Sequence, residues 1–427
     1  MGYPLKIMKR MSVQDVTVKR IIHKEKERQN RTINLIASEN YAPACVLDAL
    51  GSVFTDKYSE GYIGKRYYPG VSHCDRIEQL ATQRALKAFK LSEKKWAVNV
   101  QAYSGAIANM AVYLALGVPK DTILSLSLSS GGHLSHGAAV SFTGKLFNVV
   151  HYGVDTSYNI NYAELEKQAR AHRPVIIVSG ASAFAKKIDF KKIGAIAKRV
   201  GAYHLADISH YAGLITAGEY PSPFPYADVV MSTTHKSLCG PRGALIFAKK
   251  QSFIGRKNAL DIPQAINHAL FPGLQGGPHN NVIAAIACGL LLVSRPRFKR
   301  LMKQTLHNAR SFAKALSGEK LFVVGKTTDS HIVLVQTERV GVSGEKAQQA
   351  LELVGIVANK NMIASDTKPH HPSAIRFGVY AVSARGMKEG EMKLIARLIA
   401  DVLYHRRSLV AIKRDVLALC KKFPAYN

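Results

Sequence analysis

A lysine among small hydroxyl residues is the feature of this sequence with the clearest chemical meaning. Lys236 follows the apolar run 227–231 and precedes Gly240, Pro241 and Gly243, which turn the chain into a second apolar run. We therefore expect Lys236 in a loop at the end of a buried strand. A lysine in a dry pocket can lose its proton and attack a carbonyl, as a covalent bond to an aldehyde cofactor such as pyridoxal phosphate requires. The alternative is a solvated lysine in a turn.

Two further positions would complete such a site. Ser104 and Gly105 follow a predicted strand and open a predicted helix, where backbone N–H groups and the helix dipole favour a phosphate. Asp207 ends an apolar strand and could pair with a protonated pyridine nitrogen. Each position also has a structural interpretation, as an ordinary helix cap or capping aspartate. Together with Lys236 they predict one site, because strand ends of an α/β sheet converge.

Two charged or titratable residues stand in unusual surroundings. His133 lies in the glycine-rich loop 131–136, where its imidazole could stack on a cofactor ring; a lone histidine is more often an ordinary surface or core residue. Arg376 interrupts an otherwise apolar strand pattern and needs a partner. A substrate carboxylate and a structural ion pair are both open as that partner.

The order of elements predicts an α/β fold, because helical and strand patterns alternate between residues 75 and 250. The predicted strands are 96–101, 149–154, 175–179, 203–208, 228–234 and 243–248. The predicted helices are 75–90, 104–116, 162–172, 190–200 and 280–293. Beyond them a helix at 297–316, short strands at 322–324 and 332–335, and a helix at 388–405 predict a smaller α+β unit. We expect an N-terminal arm at 1–34, a large domain at 35–294 and a small domain at 295–427.

The composition indicates an ordered globular protein, with 47% hydrophobic residues in 427. Its 59 Lys and Arg against 29 Asp and Glu give a formal charge of +30, which could signal nucleic-acid contact. The basic residues are spread through every segment without aromatic interleaving, so we do not expect nucleic acid as a partner. Anionic substrates or cofactors would still be attracted.

The cysteines and the apolar stretches indicate the cellular compartment of the protein. The five cysteines are scattered and form no CxxC pair, which predicts neither a disulfide framework nor a metal site. The apolar stretch 282–293 is too short to span a bilayer, and the first thirty residues contain no continuous apolar signal core. We expect a cytoplasmic protein without membrane contact.

A set of motifs, in this order along the chain, resembles the serine hydroxymethyltransferase family. They are LIASENY at 35–41, KYSEGYIGKRYY at 57–68, GGHLSHG at 131–137, TTHK at 233–236, FPGLQGGP at 271–278 and NKN at 359–361. The resemblance implies a fold-type-I pyridoxal-phosphate enzyme, with a large domain built on a mixed, mostly parallel sheet and a smaller α+β C-terminal domain. It also implies tetrahydrofolate as co-substrate.

The resemblance assigns roles around the cofactor. The implied contacts are Lys236 for the covalent bond, Asp207 for the pyridine nitrogen, His133 for stacking on the ring, Ser182 and His210 for the phenolic oxygen, and Ser104 and Gly105 for the phosphate. Thr233 and His235, beside the lysine, are predicted to belong to the catalytic group.

The resemblance also implies a homodimer with shared sites, and leaves pairing into tetramers open. The implied substrate contacts are Ser38 and Arg376 for the amino acid, and Tyr67, Leu128, Gly132, Leu134 and Asn361 for the folate. The implied contributions to a neighbour's site are Tyr58, Glu60 and Tyr68, with Gln275, Gly276 and Gly277 at the neighbour's phosphate. Glu60 would transfer a proton near the hydroxymethyl carbon. Because that role needs a pKa raised toward neutrality by burial, we expect a partly closed, dry site.

The implied activity is the reversible conversion of L-serine and tetrahydrofolate to glycine and 5,10-methylenetetrahydrofolate. Two alternatives stay open at this point. One is a folate-independent aldolase of the same fold that acts on threonine-like β-hydroxy amino acids. The other is a basic nucleic-acid-binding relic of the enzyme.

The chain departs from the family pattern at three places in the predicted site. Ala106 stands where a second phosphate-binding serine is usual, and a lost hydrogen bond to a charged group costs roughly 1.5–3 kcal/mol. Phe184 replaces a usual tyrosine. The loop 365–372 is about one residue short and lacks an aromatic residue, which puts its contacts to the folate ring in doubt.

Overall fold

The structure is a computed structural model that describes residues 15–251, 261–366 and 371–426. Its centre is a seven-stranded sheet with strand order β4-β10-β9-β8-β7-β5-β6. The strands are β1 (Ile33–Asn34), β2 (Gly61–Tyr62), β3 (Lys65–Arg66), β4 (Trp96–Asn99), β5 (Thr122–Leu126), β6 (Asn148–Tyr152), β7 (Ile176–Gly180), β8 (Tyr203–Asp207), β9 (Val229–Thr233), β10 (Ala244–Lys249), β11 (Ile332–Gln336), β12 (Ile356–Val357), β13 (Asn359–Asn361) and β14 (Ala374–Gly378). In the large sheet β10 runs antiparallel to β4 and β9, and the other pairs are parallel.

Helices cover both faces of this sheet and build the second unit. They are α1 (Val16–Asn30), α2 (Ala44–Leu50), α3 (Ser72–Ala88), α4 (Gly105–Leu116), α5 (Phe142–Leu146), α6 (Tyr162–His172), α7 (Phe190–Val200), α8 (Ala212–Ala217), α9 (Ile262–Leu270), α10 (Asn280–Val293), α11 (Pro296–Gly318), α12 (Gly344–Leu353), α13 (Tyr380–Ala384), α14 (Glu389–Leu403) and α15 (Leu409–Lys422).

The alternation of side chains along a strand explains why the sheet needs helices on both faces. In β9, Val229 and Met231 enter the core that contains α4 and α9, whereas Val230 enters the core that contains α3, α7 and α10. Every residue of β7, β8 and β9 is buried. The predicted α/β class with a mixed, mostly parallel sheet is therefore confirmed.

A second sheet, of order β11-β14-β13, is antiparallel and packs with helices α11, α12, α14 and α15 around its own core. The N-terminal part of the chain joins this core, because β1 pairs in parallel with β12, and Ile33 and Leu35 are fully buried in it. This pairing carries the following residues, including Ser38, toward the boundary between the two units.

The predicted helices at 162–172, 190–200 and 280–293 are confirmed residue for residue. The sequence analysis did not predict β5, whose serine-rich surroundings resemble a loop. Ser125 nevertheless fits a buried strand, because its hydroxyl donates to the carbonyl oxygen of His136 at 2.6 Å. The missed strand lies between β6 and β7 in the sheet.

The predicted strand at 322–324 is wrong, since this segment forms only an isolated bridge between Val323 and Val335. The flanking residues prevent the segment 322–324 from extending into a longer strand. The N–H of Leu321 is bonded to the last turn of α11 at Leu316, and Gly325 and Lys326 adopt positive φ angles that turn the chain away.

Among the described residues, no single helix is both long and apolar enough to cross a membrane. The pair α10 and α11 passes that test when joined, but the two helices are bent by 78° at their break.

Candidate active site

A cavity of about 510 Å³ opens at the carboxyl ends of β4, β7, β8 and β9. Its lining residues are Ser38, Glu39, Ser104, Gly105, Ala106, Asn109, His133, Ser135, His136, Ala181, Ser182, Asp207, Ser209, His210, Met231, Thr233, His235, Lys236, Arg242 and Arg376. The fold thus gathers loops from these four strand ends, the loop after β5, the segment after β1 and one strand of the second sheet. Ligands bind at such strand ends in open α/β sheets.

Lys236 lies in a tightly bonded loop directly after β9. The N–H of Thr234 donates to Gly243, and the N–H of Gly240 donates back to Thr234 at 2.8 Å, so the loop is closed on itself. The Lys236 side chain is buried, and burial lowers its pKa to about 8, although the nearby Asp207 charge opposes the shift. A neutral amine, the nucleophilic form, is therefore readily accessible near neutral pH.

Asp207 ends β8 as a buried carboxylate that accepts three hydrogen bonds from the protein. Its Oδ2 accepts hydrogen bonds from His136 Nε2 at 2.9 Å and Asn109 Nδ2 at 3.1 Å, and its Oδ1 accepts from the Ser209 N–H at 3.0 Å. Burial alone would raise the pKa of Asp207, but the bond and charge of His136, the charge of Lys236 and the bond from Ser209 together lower it below its usual range. The carboxylate stays charged and suits a cationic ring nitrogen.

The turn after β4 has the form of an anion cradle. Ser104 is the N-cap of α4, and its Oγ accepts from the Ile107 N–H at 3.4 Å. Gly105 leaves room for the close approach of β9, because a Cβ at this position would lie 2.6 Å from Thr233 Cγ2. Ala106 lines the same cavity and offers no hydroxyl.

Arg376 reaches the cavity from β14. Its Nη1 donates to the carbonyl oxygen and hydroxyl of Ser182 at 2.7 and 3.0 Å, and its Nε donates to Asn359 Oδ1 at 3.0 Å. No acidic side chain within the described ranges pairs with this buried guanidinium, and burial lowers its pKa to about 10. The structural ion pair considered from the sequence is therefore absent there, and a carboxylate ligand is the natural partner.

Ser38 lines the same cavity as Arg376, and a close backbone contact holds the segment before Ser38 against β14. The N–H of Gly378, at the end of β14, donates to Leu35 at 2.8 Å, and a Cβ on Gly378 would lie 2.2 Å from Ala37 Cα. Only glycine fits at this position.

Three buried polar atoms on residues lining the cavity have no hydrogen-bond partner among the described residues. They are Asn109 Oδ1, Thr233 Oγ1 and His235 Nδ1. Such atoms are rare in folded proteins because each one costs desolvation free energy. Their concentration here indicates that the cavity is built to hold a polar ligand.

A second cavity of about 430 Å³ adjoins the first, since Ser182 lines both. It contains four of the five residues predicted for the folate: Leu128, Gly132, Leu134 and Asn361. Leu128 and Leu134 are 43% and 48% exposed, which makes them available to an apolar ring. The loop at 365–372 borders this region, but its residues 367–370 lie outside the described residues.

The remaining predicted residues form a separate cluster, which we call the exposed tyrosine cluster. The Tyr58 and Tyr68 rings meet edge to face at 5.2 Å, and Glu60 approaches Gly276, where a Cβ would lie 3.3 Å from Glu60 Oε1. Tyr67 packs against Phe271 at 5.8 Å. The cluster also contains Gly277, and Gln275 links it to the phosphate turn by accepting a bond from the Tyr103 N–H at 2.9 Å. None of the cluster's three tyrosines, nor Glu60, lines either cavity of the same chain.

Some site residues have roles that depend on contacts within the fold, and these are not predicted from the sequence. Asn109 and His136 hold Asp207, and Arg242 lines the cavity beyond Lys236. A signal was present for Asn109, a polar residue within the apolar helix α4. His136 stood inside the glycine-rich loop, but its partner 71 positions away could not be read from the sequence.

We expect the protein to lose stability as the pH falls from about 6.5 to 5, because its buried histidines resist protonation. Burial lowers the pKa of His204 to about 4 and that of His331 to about 3. Below pH 6.5 the unfolded chain binds protons that the folded chain does not, which costs about 2 kcal/mol per such histidine at pH 5. Urea unfolding at pH 7.5 and pH 5 measures the difference.

The variant His204→Gln serves as the control for this prediction. It removes one buried imidazole outside the cavity, so its stability should depend less on pH than that of the parent chain. Equal unfolding free energies at the two pH values would contradict the prediction.

The comparisons with known proteins agree with this geometry. The family model described as serine hydroxymethyltransferase matches residues 11–399. Similar relatives, each named serine hydroxymethyltransferase, come from Acidovorax sp. (strain JS42) and Methanosarcina barkeri, both 47% identical over 95% of this chain and 96% of the relative. A relative of that name from Endomicrobium trichonymphae is 45% identical over 98% of this chain and 99% of its own length. The chain therefore belongs to the serine hydroxymethyltransferase family.

Proposed function

We propose that this chain catalyses the reversible transfer of the hydroxymethyl carbon of L-serine to tetrahydrofolate, which yields glycine, 5,10-methylenetetrahydrofolate and water. The observation that carries the proposal is that a buried lysine of lowered pKa and a buried, hydrogen-bonded aspartate, whose pKa is also lowered, line one cavity. Membership of the family supports the same reaction.

The cavity fits pyridoxal phosphate on the chemistry of its donors. Lys236 offers an amine for the aldehyde, Asp207 a carboxylate for the ring nitrogen, and the Ser104–Gly105 turn offers donors for the phosphate. His133 lines the cavity, and His210 and Ser182 offer polar atoms for the phenolic oxygen. The unpartnered Thr233 and His235 atoms support a polar occupant.

When bound, the cofactor supplies an electron sink for the electron pair released at the substrate Cα. The residues of the chain would bind the substrate and position it relative to the cofactor. Arg376, with Ser38 in the same cavity, binds the substrate carboxylate. Asp207 keeps the ring nitrogen protonated through its own negative charge. Lys236, whose pKa is lowered to about 8 by burial, would offer an amine in the same cavity that can accept and return a proton.

Folate binding is proposed at the second cavity. Its exposed leucines suit the flat ring system, and it opens beside Ser182, so a one-carbon unit would have a short path between the two cavities. This favours the transferase over the folate-independent aldolase. The deciding experiment measures serine cleavage with and without tetrahydrofolate. A large acceleration by tetrahydrofolate supports the proposal, whereas an unchanged rate supports the aldolase.

We propose further that two copies form a homodimer with shared sites. The exposed tyrosine cluster places Glu60 and Tyr58 outside both cavities of their own chain, and Tyr58 is 57% exposed. A proton-transfer group is useful only within reach of the reacting atoms. A second copy presenting this cluster would supply Glu60 to the hydroxymethyl carbon and Gly276 and Gly277 to the phosphate.

A complementation experiment tests the shared site. The variants Lys236→Ala and Glu60→Gln should each be inactive as homodimers. A heterodimer of the two, isolated with different tags, should regain about half of the parental activity because one of its two sites is intact. A heterodimer as inactive as both homodimers would contradict the shared site.

We also propose the division into an arm (1–34), a large domain (35–294) and a small domain (295–427); the separate cores support the distinction between the large and the small domain. All five cysteines are free thiols, which supports a reducing cytoplasm.

A further inference from the structure

Three ring side chains from the two units meet behind the cavity. His210, which lines the cavity, comes from the segment after β8, whereas His331 precedes β11 and Tyr380 begins α13. All three are buried, with exposed fractions of 2%, 0% and 1%. The Tyr380 hydroxyl donates to the backbone oxygen of His210 at 3.1 Å. These rings are therefore a direct contact between the second unit and the active-site cavity.

The two imidazoles meet edge to edge. His210 Nδ1 and His331 Nε2 are 3.4 Å apart, while the ring centroids are 5.5 Å apart and the planes differ by 13°. Rings that are nearly coplanar at this centroid distance meet through their nitrogen atoms and not through their faces. The face of His331 is covered by the Tyr380 ring at 3.9 Å, which fixes the plane of His331.

The partners of His331 determine which of its nitrogens carries the proton. His331 Nε2 lies 3.0 Å from the carbonyl oxygen of Ala37, which can only accept. Nε2 must therefore carry the hydrogen, and this N–H also points to His210 Nδ1. The other nitrogen, His331 Nδ1, is buried and has no partner among the described residues, as expected for the unprotonated nitrogen of a neutral ring.

A neutral state of both imidazoles is consistent with their surroundings. Burial lowers the pKa of His331 to about 3 and lowers that of His210 well below its usual value. The positive charges of Lys236 and Arg376 also lower the pKa of both rings. With His331 Nε2–H as the donor, His210 Nδ1 is left as the acceptor.

We propose that His331 is a positioning residue that fixes His210 as the Nε2–H tautomer, so that His210 presents a hydrogen-bond donor to the active-site cavity. Within the described ranges no hydrogen bond is formed by His210 Nε2, and the residue lines the cavity. Tyr380 holds the arrangement by stacking on His331 and bonding to the His210 backbone. The same His331 N–H holds the Ala37 carbonyl, next to Ser38.

The identity of the acceptor in the cavity rests on the proposed function, under which it is the phenolic oxygen of pyridoxal phosphate. A neutral donor would stabilise negative charge on that oxygen without adding a positive charge beside Lys236 and Arg376. The tautomer itself follows from contacts within the chain and can be measured without substrate or turnover.

The test is ¹⁵N nuclear magnetic resonance of the deuterated, cofactor-loaded protein labelled with ¹⁵N-histidine. One set of imidazole ¹⁵N signals should disappear in the His210→Gln variant, which identifies the signals of His210. We expect an Nε2–H tautomer for His210 in the parent chain between pH 6 and 9. A His210 ring protonated at Nδ1 in the parent chain would overturn the proposal, whatever the variants show.

Two substitutions of His331 separate positioning from packing. His331→Gln keeps an N–H donor near the Nε2 position and should retain the tautomer. His331→Phe keeps a flat ring against Tyr380 without the donor, and the ratio of the two His210 tautomers should fall about fivefold, the effect of losing one hydrogen bond. An unchanged ratio in a folded His331→Phe protein would also overturn the proposal.

His204→Gln and Tyr380→Phe are the matched controls. His204 is another buried histidine, but it bonds to Ser179 and Tyr226 and does not touch His210. Both variants should leave the His210 tautomer unchanged, since Tyr380→Phe keeps the ring over His331. If tetrahydrofolate fails to accelerate serine cleavage, the proposed function fails while the tautomer result stands, so the two failures are distinguishable.

Discussion

Replacing Lys236 with alanine lowers the rate of serine cleavage by at least about three orders of magnitude, the size of effect seen when an enzyme loses a covalent nucleophile. Lys236 is the lysine that lines the cavity, and burial has already lowered its pKa to about 8. The variant can still bind pyridoxal phosphate through Asp207 and the phosphate turn, but not covalently. Single-turnover kinetics with serine and tetrahydrofolate measures the loss.

The matched control is Lys191→Ala, which removes an exposed lysine on α7 and should leave the rate unchanged. Near-UV circular dichroism shows whether the Lys236→Ala fold is intact. A folded Lys236→Ala protein with more than about a tenth of the parental rate would contradict the assignment of the nucleophile.

Replacing Asp207 with alanine should damage both stability and activity. The substitution leaves His136 Nε2 buried without its acceptor and removes one of the two acceptors of Asn109 Nδ2, which keeps only Ser135 Oγ; breaking such a buried pair costs about 3–5 kcal/mol of unfolding free energy. It also removes the charge proposed to keep the cofactor ring protonated, so we expect at least about a hundredfold lower rate. Urea unfolding and steady-state kinetics measure the two effects.

Two variants separate these effects. Asp207→Asn keeps an oxygen acceptor of similar shape and should lose activity with a smaller loss of stability. Asp401→Ala removes another buried aspartate, paired with Arg406 and Arg407 far along the chain in α14, and should lose stability without a comparable loss of rate per folded molecule. If Asp207→Asn retained the full rate, the proposed charge pairing with the ring nitrogen would be wrong.

The fold could be predicted well where the apolar pattern alone sets the structure. Helices α6, α7 and α10 begin and end where their apolar spacing and caps predict, with asparagine or aspartate capping the first two. The prediction failed where tertiary contacts overrule the pattern. Strand β5 lies in serine-rich surroundings and is stabilised by a hydrogen bond from Ser125 to the loop at His136, and residues 322–324 are apolar but are held at both ends.

The site could be predicted as a set of residues more easily than as an arrangement. Asp207 ends a strand, and Lys236 and Ser104 follow strands, so convergence of strand ends is enough to bring the three together. The hydrogen bonds of Asp207 to Asn109 and His136 were not predictable, because they join residues 98 and 71 positions apart.

Shared sites and positioning residues carry even weaker sequence signals. Glu60 appears beside tyrosines in a polar segment, and nothing in its spacing says that it lies outside its own chain's cavity. His331 and Tyr380 lie in the second unit, at the starts of β11 and α13, and look like ordinary core residues. Their contacts with His210 depend on how the two units pack, which local patterns do not encode.

Reduction of the cofactor-loaded protein with borohydride, followed by digestion and mass spectrometry, tests the central claim most directly. Hydride converts the covalent bond between a lysine amine and the pyridoxal aldehyde into a stable secondary amine. We predict a phosphopyridoxyl group on the peptide that contains Lys236. A modified lysine on a different peptide, or none in a protein that has bound the cofactor, would contradict the account.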